Sequence, residues 1–201
     1  MTENKKYWKL QFDQSVQQYF SEGRDNQRRA ELHCTLLNEA TNKKDVVNLQ
    51  VGVPHNRESK HGKNWIAIDL FDKRDCIDFN MDISNLKFPG DMFNFIECTA
   101  ILEHVKNPFV CVSELYRVAK KGCGIWIEVP YVQYYHPFKN YNEEKHGMIC
   151  ETQEGLEKDQ EHGGHYFNFT PQGLVEVMKP FIMKELLLIN EGGICYYGIK
   201  E

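Results

Sequence analysis

The apolar positions of this chain change period several times, and each change marks an element. Trp8, Phe12, Val16 and Tyr19/Phe20 recur at helical spacing, which predicts an amphipathic helix ended near Gly23. A second helical pattern, Ala30, Leu32, Leu36, Leu37 and Ala40, follows Asp25 and Asn26, either of which suits an N-cap. The period then shortens. Val46-Val47-Asn48-Leu49-Gln50-Val51 is a β-branched run that stops on Gly52, a residue type that lets backbone turn tightly or approach a ligand closely. Trp65-Ile66-Ala67-Ile68 is a second strand-like run and ends on Asp69; Phe93-Asn94-Phe95-Ile96-Glu97-Cys98 is a third, and Ile125 to Val129 a fourth. Between the last two, Phe109, Val112, Leu115, Tyr116 and Ala119 make one apolar face of a helix from Pro108 to Lys120. Pro108 suits its first turn, Lys120 and Lys121 suit the negative end of its dipole, and Gly122 suits the turn after it. Glu114 and Arg117 can pair on its surface, a contact worth only about 0 to 1 kcal/mol.

Two stretches lack a period. Val53 to Asn64 is polar and holds Pro54 and Gly62, so the connection between the first two strands is read as a loop or a shortened helix. From Tyr131 to Phe169 no apolar period is sustained, yet tyrosine, phenylalanine and histidine are dense; a long irregular segment of this kind usually forms a lid or binding loop. Thr170-Pro171 then reads as an N-cap with proline at the first helical position, opening a helix through Leu174, Val177 and Met178 to Pro180. Ile182 to Asn190 and Ile194 to Lys200, separated by the turn Glu191-Gly192-Gly193, complete the chain as an antiparallel strand pair.

Composition narrows the class. At 201 residues, one domain can bury a sizeable core without staples. A net charge of −5 with scattered basic pairs argues against a nucleic-acid footprint. No stretch approaches the roughly 20 apolar residues of a spanning helix and the start has no apolar signal region, so a cytoplasmic protein without membrane contact is expected. Seven cysteines, an odd number without Cys-x-x-Cys, fit reduced thiols. The oligomeric state is not legible.

The chemistry gathers between Val46 and Pro130. A carboxylate just past a strand, downstream of a strand-Gly turn, is where open α/β folds grip ribose hydroxyls, so Gly52 and Asp69 read as two ends of one cofactor site. With Asp82-Ile83-Ser84-Asn85-Leu86-Lys87-Phe88-Pro89, Phe93-Asn94-Phe95-Ile96, Leu102-Glu103-His104-Val105 and Glu114-Leu115-Tyr116-Arg117-Val118 in the same order, this stretch resembles the class I S-adenosylmethionine-dependent methyltransferases, specifically the type 11 group. The strand-Gly running directly to Trp65-Ile66-Ala67-Ile68-Asp69 is similar to a subset of that group associated with polysaccharide biosynthesis.

The resemblance implies a Rossmann-like α/β fold: a seven-stranded, mostly parallel sheet with the last strand antiparallel, binding S-adenosylmethionine at the carboxyl ends of the strands. It implies residues 1–45 as leading helices, 46–130 as the cofactor-binding core, 131–170 as the acceptor or lid segment and 171–201 as the closing helix and strand pair. Gly52 would lie against the methionine end of the cofactor, Asp69 would accept from the ribose hydroxyls, Asp82 with Ile83 would border the adenine, and Gln50, Leu70 and Thr99 are further cofactor-binding candidates. Where the family's first motif has an acidic residue and three glycines, this chain has Gln50, Gly52, Pro54 and Asn56, so only the first glycine is kept and no charge faces the cofactor's ammonium. Tyr7 and Trp8, on the leading helix, are either cofactor contacts or hydrophobic anchors.

Methyl transfer to a hydroxyl or ammonium also needs a proton removed. His104 and His136 are the candidate bases; the alternative for His104 is a hydrogen bond to backbone that fixes the turn, and for Glu103 a structural carboxylate that satisfies loop amides. His162-Gly163-Gly164-His165, with Glu161, His146 and Cys150, carries metal-ligating types, but the paired glycines fix no geometry and no metal site is assigned. Two classes stay open: a methyltransferase on a hydroxyl, amine or carboxylate of a small polar or saccharide acceptor, and a methyltransferase-like binding or regulatory protein without turnover.

Overall fold

The computed structural model of the protein describes residues 24–54, 57–131, 165–189 and 193–201. The predicted first helix, with Tyr7 and Trp8, and most of the acceptor segment, with His136, lie outside the described residues. Helix α1 (Arg24–Asn42) leads into strand β1 (Asn48–Val51), followed by β2 (Trp65–Asp69), β3 (Phe79–Asn80) and β4 (Phe93–Thr99). A single 3-10 turn (Leu102–His104), helix α2 (Pro108–Val118) and strand β5 (Ala119–Pro130) follow, then helix α3 (Pro171–Val177) and strands β6 (Ile182–Ile189) and β7 (Gly193–Ile199).

The seven strands form one sheet in the order β3-β2-β1-β4-β5-β7-β6. Strands β1 to β5 run parallel, whereas β7 is antiparallel to both of its neighbours, β5 and β6. This is the architecture expected from the resemblance. Successive side chains in a strand point to opposite faces, and the two faces are covered differently. Leu49, Val51, Ile96, Cys98, Ile125 and Ile127 pack with Cys111, Val112 and Leu115 of α2 and Leu174 and Val177 of α3 into the larger core. On the other face Phe95, Trp126, Trp65 and Leu187 pack under Leu32, Leu36, Leu37 and Ala40 of α1. The β1–β2 connection lacks a helix among the described residues, as the polar stretch after Gly52 predicts, and so does the β2–β3 connection. The six described cysteines are free.

Several boundaries differ from expectation, each for a non-local reason. Asp25 does not cap α1; it lies in the first turn, and its Oδ2 accepts the Leu188 N–H of β6 at 3.0 Å. Helix α2 stops at Val118, and the chain enters β5 at once through an extended Ala119. Lys120 leaves the helix end and donates to Asn94 Oδ1, while Lys200, from the far end of the chain, donates to the helix-end carbonyls of Tyr116 and Ala119 at 2.9 and 2.7 Å. The segment read as a turn around Gly122 is instead the opening of a long strand: Gly122 N–H donates to Lys200 O, and Lys200 N–H to Cys123 O. Gly122 has φ +80, a conformation that side chains other than glycine resist, which is how the strand takes its bend. Helix α3 keeps the predicted cap, with Gly173 N–H donating to Thr170 Oγ1 at 3.0 Å, but ends at Val177 instead of Pro180. Strand β3 was not legible, since both of its residues are exposed.

The Glu114–Arg117 pair does more than decorate α2. Arg117 donates to the carbonyls of Leu86 and Phe88 at 2.8 Å each, and Glu114 accepts the Leu86 N–H at 2.9 Å. The pair therefore pins the Asp82–Phe88 segment against the helix.

Candidate functional site

The carboxyl edge of the parallel strands is where their backbones splay and loops leave, so it is the natural floor of a binding site. Parallel register sets Val51 opposite both Ile68 and Cys98, which places the next residues, Gly52, Asp69 and Thr99, side by side at that edge. Gly52 N–H donates to Ile68 O at 2.8 Å, and its φ of +78 turns the chain sharply out of β1. A Cβ at Gly52 would stand 2.8 Å from Ile101 Cδ1, so the Ile101 side chain packs against this turn as closely as it does only because the residue is glycine.

Asp69 is shaped for accepting. Its Oδ1 receives the N–H groups of Phe71 and Asp72, both at 2.8 Å, which fixes the carboxylate over the β2 edge, and Oδ2 carries no bond among the described residues. Leu70 and Phe71 beside it are exposed apolar side chains. Arg74 then holds the loops after β1 and β2 together, donating to the carbonyls of Val53 and Arg57 and to the Asp72 carboxylate. That stitching substitutes for the missing helix. Asp82 closes its own turn, accepting the Ser84 N–H at 2.8 Å, while Ile83 is buried in the larger core. Thr99 Oγ1 is buried without a partner, a donor and acceptor left over at the same edge.

Gln50 is fully buried; its Oε1 accepts the His61 N–H at 3.3 Å and its Nε2 has no partner. It belongs to a polar cluster under α1 that local sequence reading missed. Glu97, across from Gln50 on β4, accepts from His33 Nε2 of α1 at 2.8 Å through one oxygen and from His61 Nε2 of the Val53–Asn64 connection through the other. The His33 ring stacks on Trp126, and the His61 ring leans on Trp65. Burial alone would raise the Glu97 carboxyl, but the two imidazole hydrogen bonds and their charge prevail and hold it at about 2, below the ordinary 4.5. The available signal was a carboxylate at a buried position of an apolar strand, which demands a partner.

Beyond β4 the chain passes through Ala100, at φ +54, into the 3-10 turn that presents Glu103 and His104. Glu103 is only 2% exposed, and its Oε2 is buried without a hydrogen bond. Burial pushes its carboxyl up to about 7, the Glu128 charge adds to the rise, and its own backbone N–H opposes it only in part. His104 Nε2 stands 3.8 Å from Glu103 Oε1. The ring of His165 meets that of His104 edge to face at 4.6 Å between centroids, and the Glu103 carbonyl accepts the N–H groups of Tyr166 and Phe167. Thus the stretch leading into α3 is fastened to the turn that carries His104.

The comparisons with known proteins agree with this geometry. Residues 52–127 match the sequence family described as methyltransferase domain. Among solved structures, a SAM-dependent methyltransferase from Aquifex aeolicus superposes with a TM-score of 0.54 at 12% identity, over 83% of this chain and 88% of that one. An S-adenosylmethionine-dependent methyltransferase from Mesorhizobium loti superposes with a TM-score of 0.55 at 10% identity, over 83% and 96%. The cyclase SpnF does so with a TM-score of 0.54 at 12% identity, over 87% and 82%. No curated protein matches the sequence. These likenesses define the fold: the chain has the architecture of solved SAM-dependent methyltransferases, an architecture that is also that of the cyclase SpnF. No helix among the described residues is long and apolar enough to cross a membrane.

Proposed function

We propose that the chain is an S-adenosylmethionine-dependent methyltransferase of the type 11 group, acting on a hydroxyl, amine or carboxylate of a small polar or saccharide acceptor. The observation that carries this reading is the convergence of Gly52, Asp69 and Thr99 on one strand edge, with a sharp positive-φ turn at Gly52, an Asp69 oxygen without a hydrogen bond among the described residues and a buried Thr99 Oγ1 without a partner. These residues fit the cofactor. Gly52 admits close approach to backbone, Asp69 Oδ2 accepts from paired ribose hydroxyls, Thr99 Oγ1 finds the partner it lacks, and Leu70 and Ile83 flank a flat heterocycle, with Asp82 at its edge. Bound there, the cofactor supplies an electrophilic methyl on its sulfonium.

The chain's own task is to hold the acceptor on axis, and positioning of that kind is worth about 7 to 11 kcal/mol. His104, at the same edge, is assigned removal of the acceptor's proton, with His136 of the acceptor segment as the alternative base. A second reading, a binding protein without turnover, draws on Gln50, a neutral residue where the family has an acid, whose carboxamide oxygen is engaged with His61.

Thermal melting with S-adenosylmethionine and S-adenosylhomocysteine separates these readings from a fold kept for another ligand. At 100 times its dissociation constant, a ligand stabilises by about 2.7 kcal/mol, which raises the melting temperature by several degrees. No shift at millimolar ligand removes the proposal. Asp69→Ala should abolish most of that shift while leaving the ligand-free melting temperature nearly unchanged; a retained shift takes the ribose away from Asp69.

A further inference from the structure

Glu103, His104 and His165 bring one carboxylate oxygen and two imidazole nitrogens within 4.8 Å of one another. A second, independent observation points to an occupant: Glu103 Oε2 is buried and carries no hydrogen bond, although an acceptor removed from water normally finds one. Its residue is locked from behind, because the Glu103 carbonyl holds Tyr166 and Phe167 and so carries His165 along with it. Ligand atoms around a bound transition metal stand roughly 3 to 4 Å apart, so the observed cluster needs a contraction of about 1 Å, within reach of side-chain rotation.

We propose that Glu103, His104 and His165 form a binding site for a divalent transition-metal ion of the Zn²⁺ or Mn²⁺ kind at the acceptor side of the strand edge. Two imidazoles with one carboxylate suit such ions and disfavour Mg²⁺ and Ca²⁺, which prefer all-oxygen shells. Three protein ligands leave at least one coordination position open, as sites that bind substrate do. On the methyltransferase reading alone, an acceptor oxygen takes that position and gives its proton to solvent at lower pH. The acceptor class then narrows to hydroxyl compounds, and His104 serves as a ligand instead of as the base.

The test is a titration of the full chain, stripped of metal by chelator, with Zn²⁺, Mn²⁺ and Mg²⁺, read by calorimetry, and with Co²⁺, read by its visible absorption. About one equivalent of Zn²⁺ and of Mn²⁺ should bind, Mg²⁺ more weakly, with Co²⁺ giving imidazole-coordinated bands. Glu103→Gln, His104→Ala and His165→Ala should each weaken binding at least roughly tenfold. S-Adenosylhomocysteine binding by the same variants should be unchanged. His165→Ala, in a segment outside helix and strand, guards against loss through misfolding, provided its melting temperature matches that of the unsubstituted chain. Absence of binding, or affinity equal in all three variants because the ion has gone to a thiol such as Cys34, overturns the proposal. If metal binds at these residues while S-adenosylhomocysteine does not, the site stands and the methyltransferase reading falls.

Discussion

Glu97 and Glu103 are six residues apart and almost equally buried, at 5% and 2% exposure, yet the protein treats them in opposite ways. Glu97 is gripped through both oxygens by His33 and His61 and is held ionised down to about 2. Glu103 keeps an oxygen without a partner, and its carboxyl is pushed up to about 7. The first joins α1, the Val53–Asn64 connection and the sheet, and so belongs to the frame. The second is a polar group buried at a cost, and its neighbours are the residues that chemistry would use. Hydrogen-bond satisfaction separates these two carboxylates; burial does not.

The largest effect should come from breaking the frame. Glu97→Ala strands two imidazoles in the interior and should lower the unfolding free energy by about 3 to 5 kcal/mol, measured by urea denaturation. A loss under about 1 kcal/mol would mean that α1 is held by its apolar contacts alone.

Next in size is the pH response of the metal-free protein, where the two carboxylates pull in opposite directions. A carboxyl held below its ordinary value stabilises above that value, so the Glu97 contribution is lost as pH falls from 4.5 towards 2, amounting to about 3 kcal/mol. A carboxyl raised above it is better protonated in the folded state, so the Glu103 contribution is lost as pH rises from 4.5 to 7, again by about 3 kcal/mol. Denaturation at a series of pH values should show both limbs, and Glu103→Gln should flatten the upper one alone. An unchanged upper limb in that variant would assign it to another group.

The smallest effect on stability belongs to His104→Ala, at about 0.5 kcal/mol or less, because the ring is partly exposed. Turnover should fall by about 10²-fold or more with S-adenosylhomocysteine affinity kept. Equal loss of both would make His104 part of the frame, and the contrast would fail.

How much of this was legible depends on whether the signal was local. Gly52, Asp69 and Thr170 announce themselves by residue type at the end or start of a periodic run, and the structure sets them at a strand edge or a helix cap. The Glu97 cluster spans separations of 64 and 36 residues, and no period connects His33 with His61. Likewise the early start of β5 depends on Lys200, which reaches back to the end of α2. Glu103 was visible as a residue but not as an orphan, since its burial and its neighbour His165, 62 positions on, come from the tertiary fold and not from the local sequence.

The contact between Asp25 and Leu188 has a consequence of another kind. β6 is an outer strand of the sheet, and an outer strand offers its amides to any extended segment, including the same strand of a second molecule. Asp25 occupies one of those amides, and Arg28 pairs with Glu185 on the same strand. Helix α1 therefore acts as a guard rail for the sheet margin: chains that keep it in place resist joining into aggregates, and conditions that detach it expose the margin first.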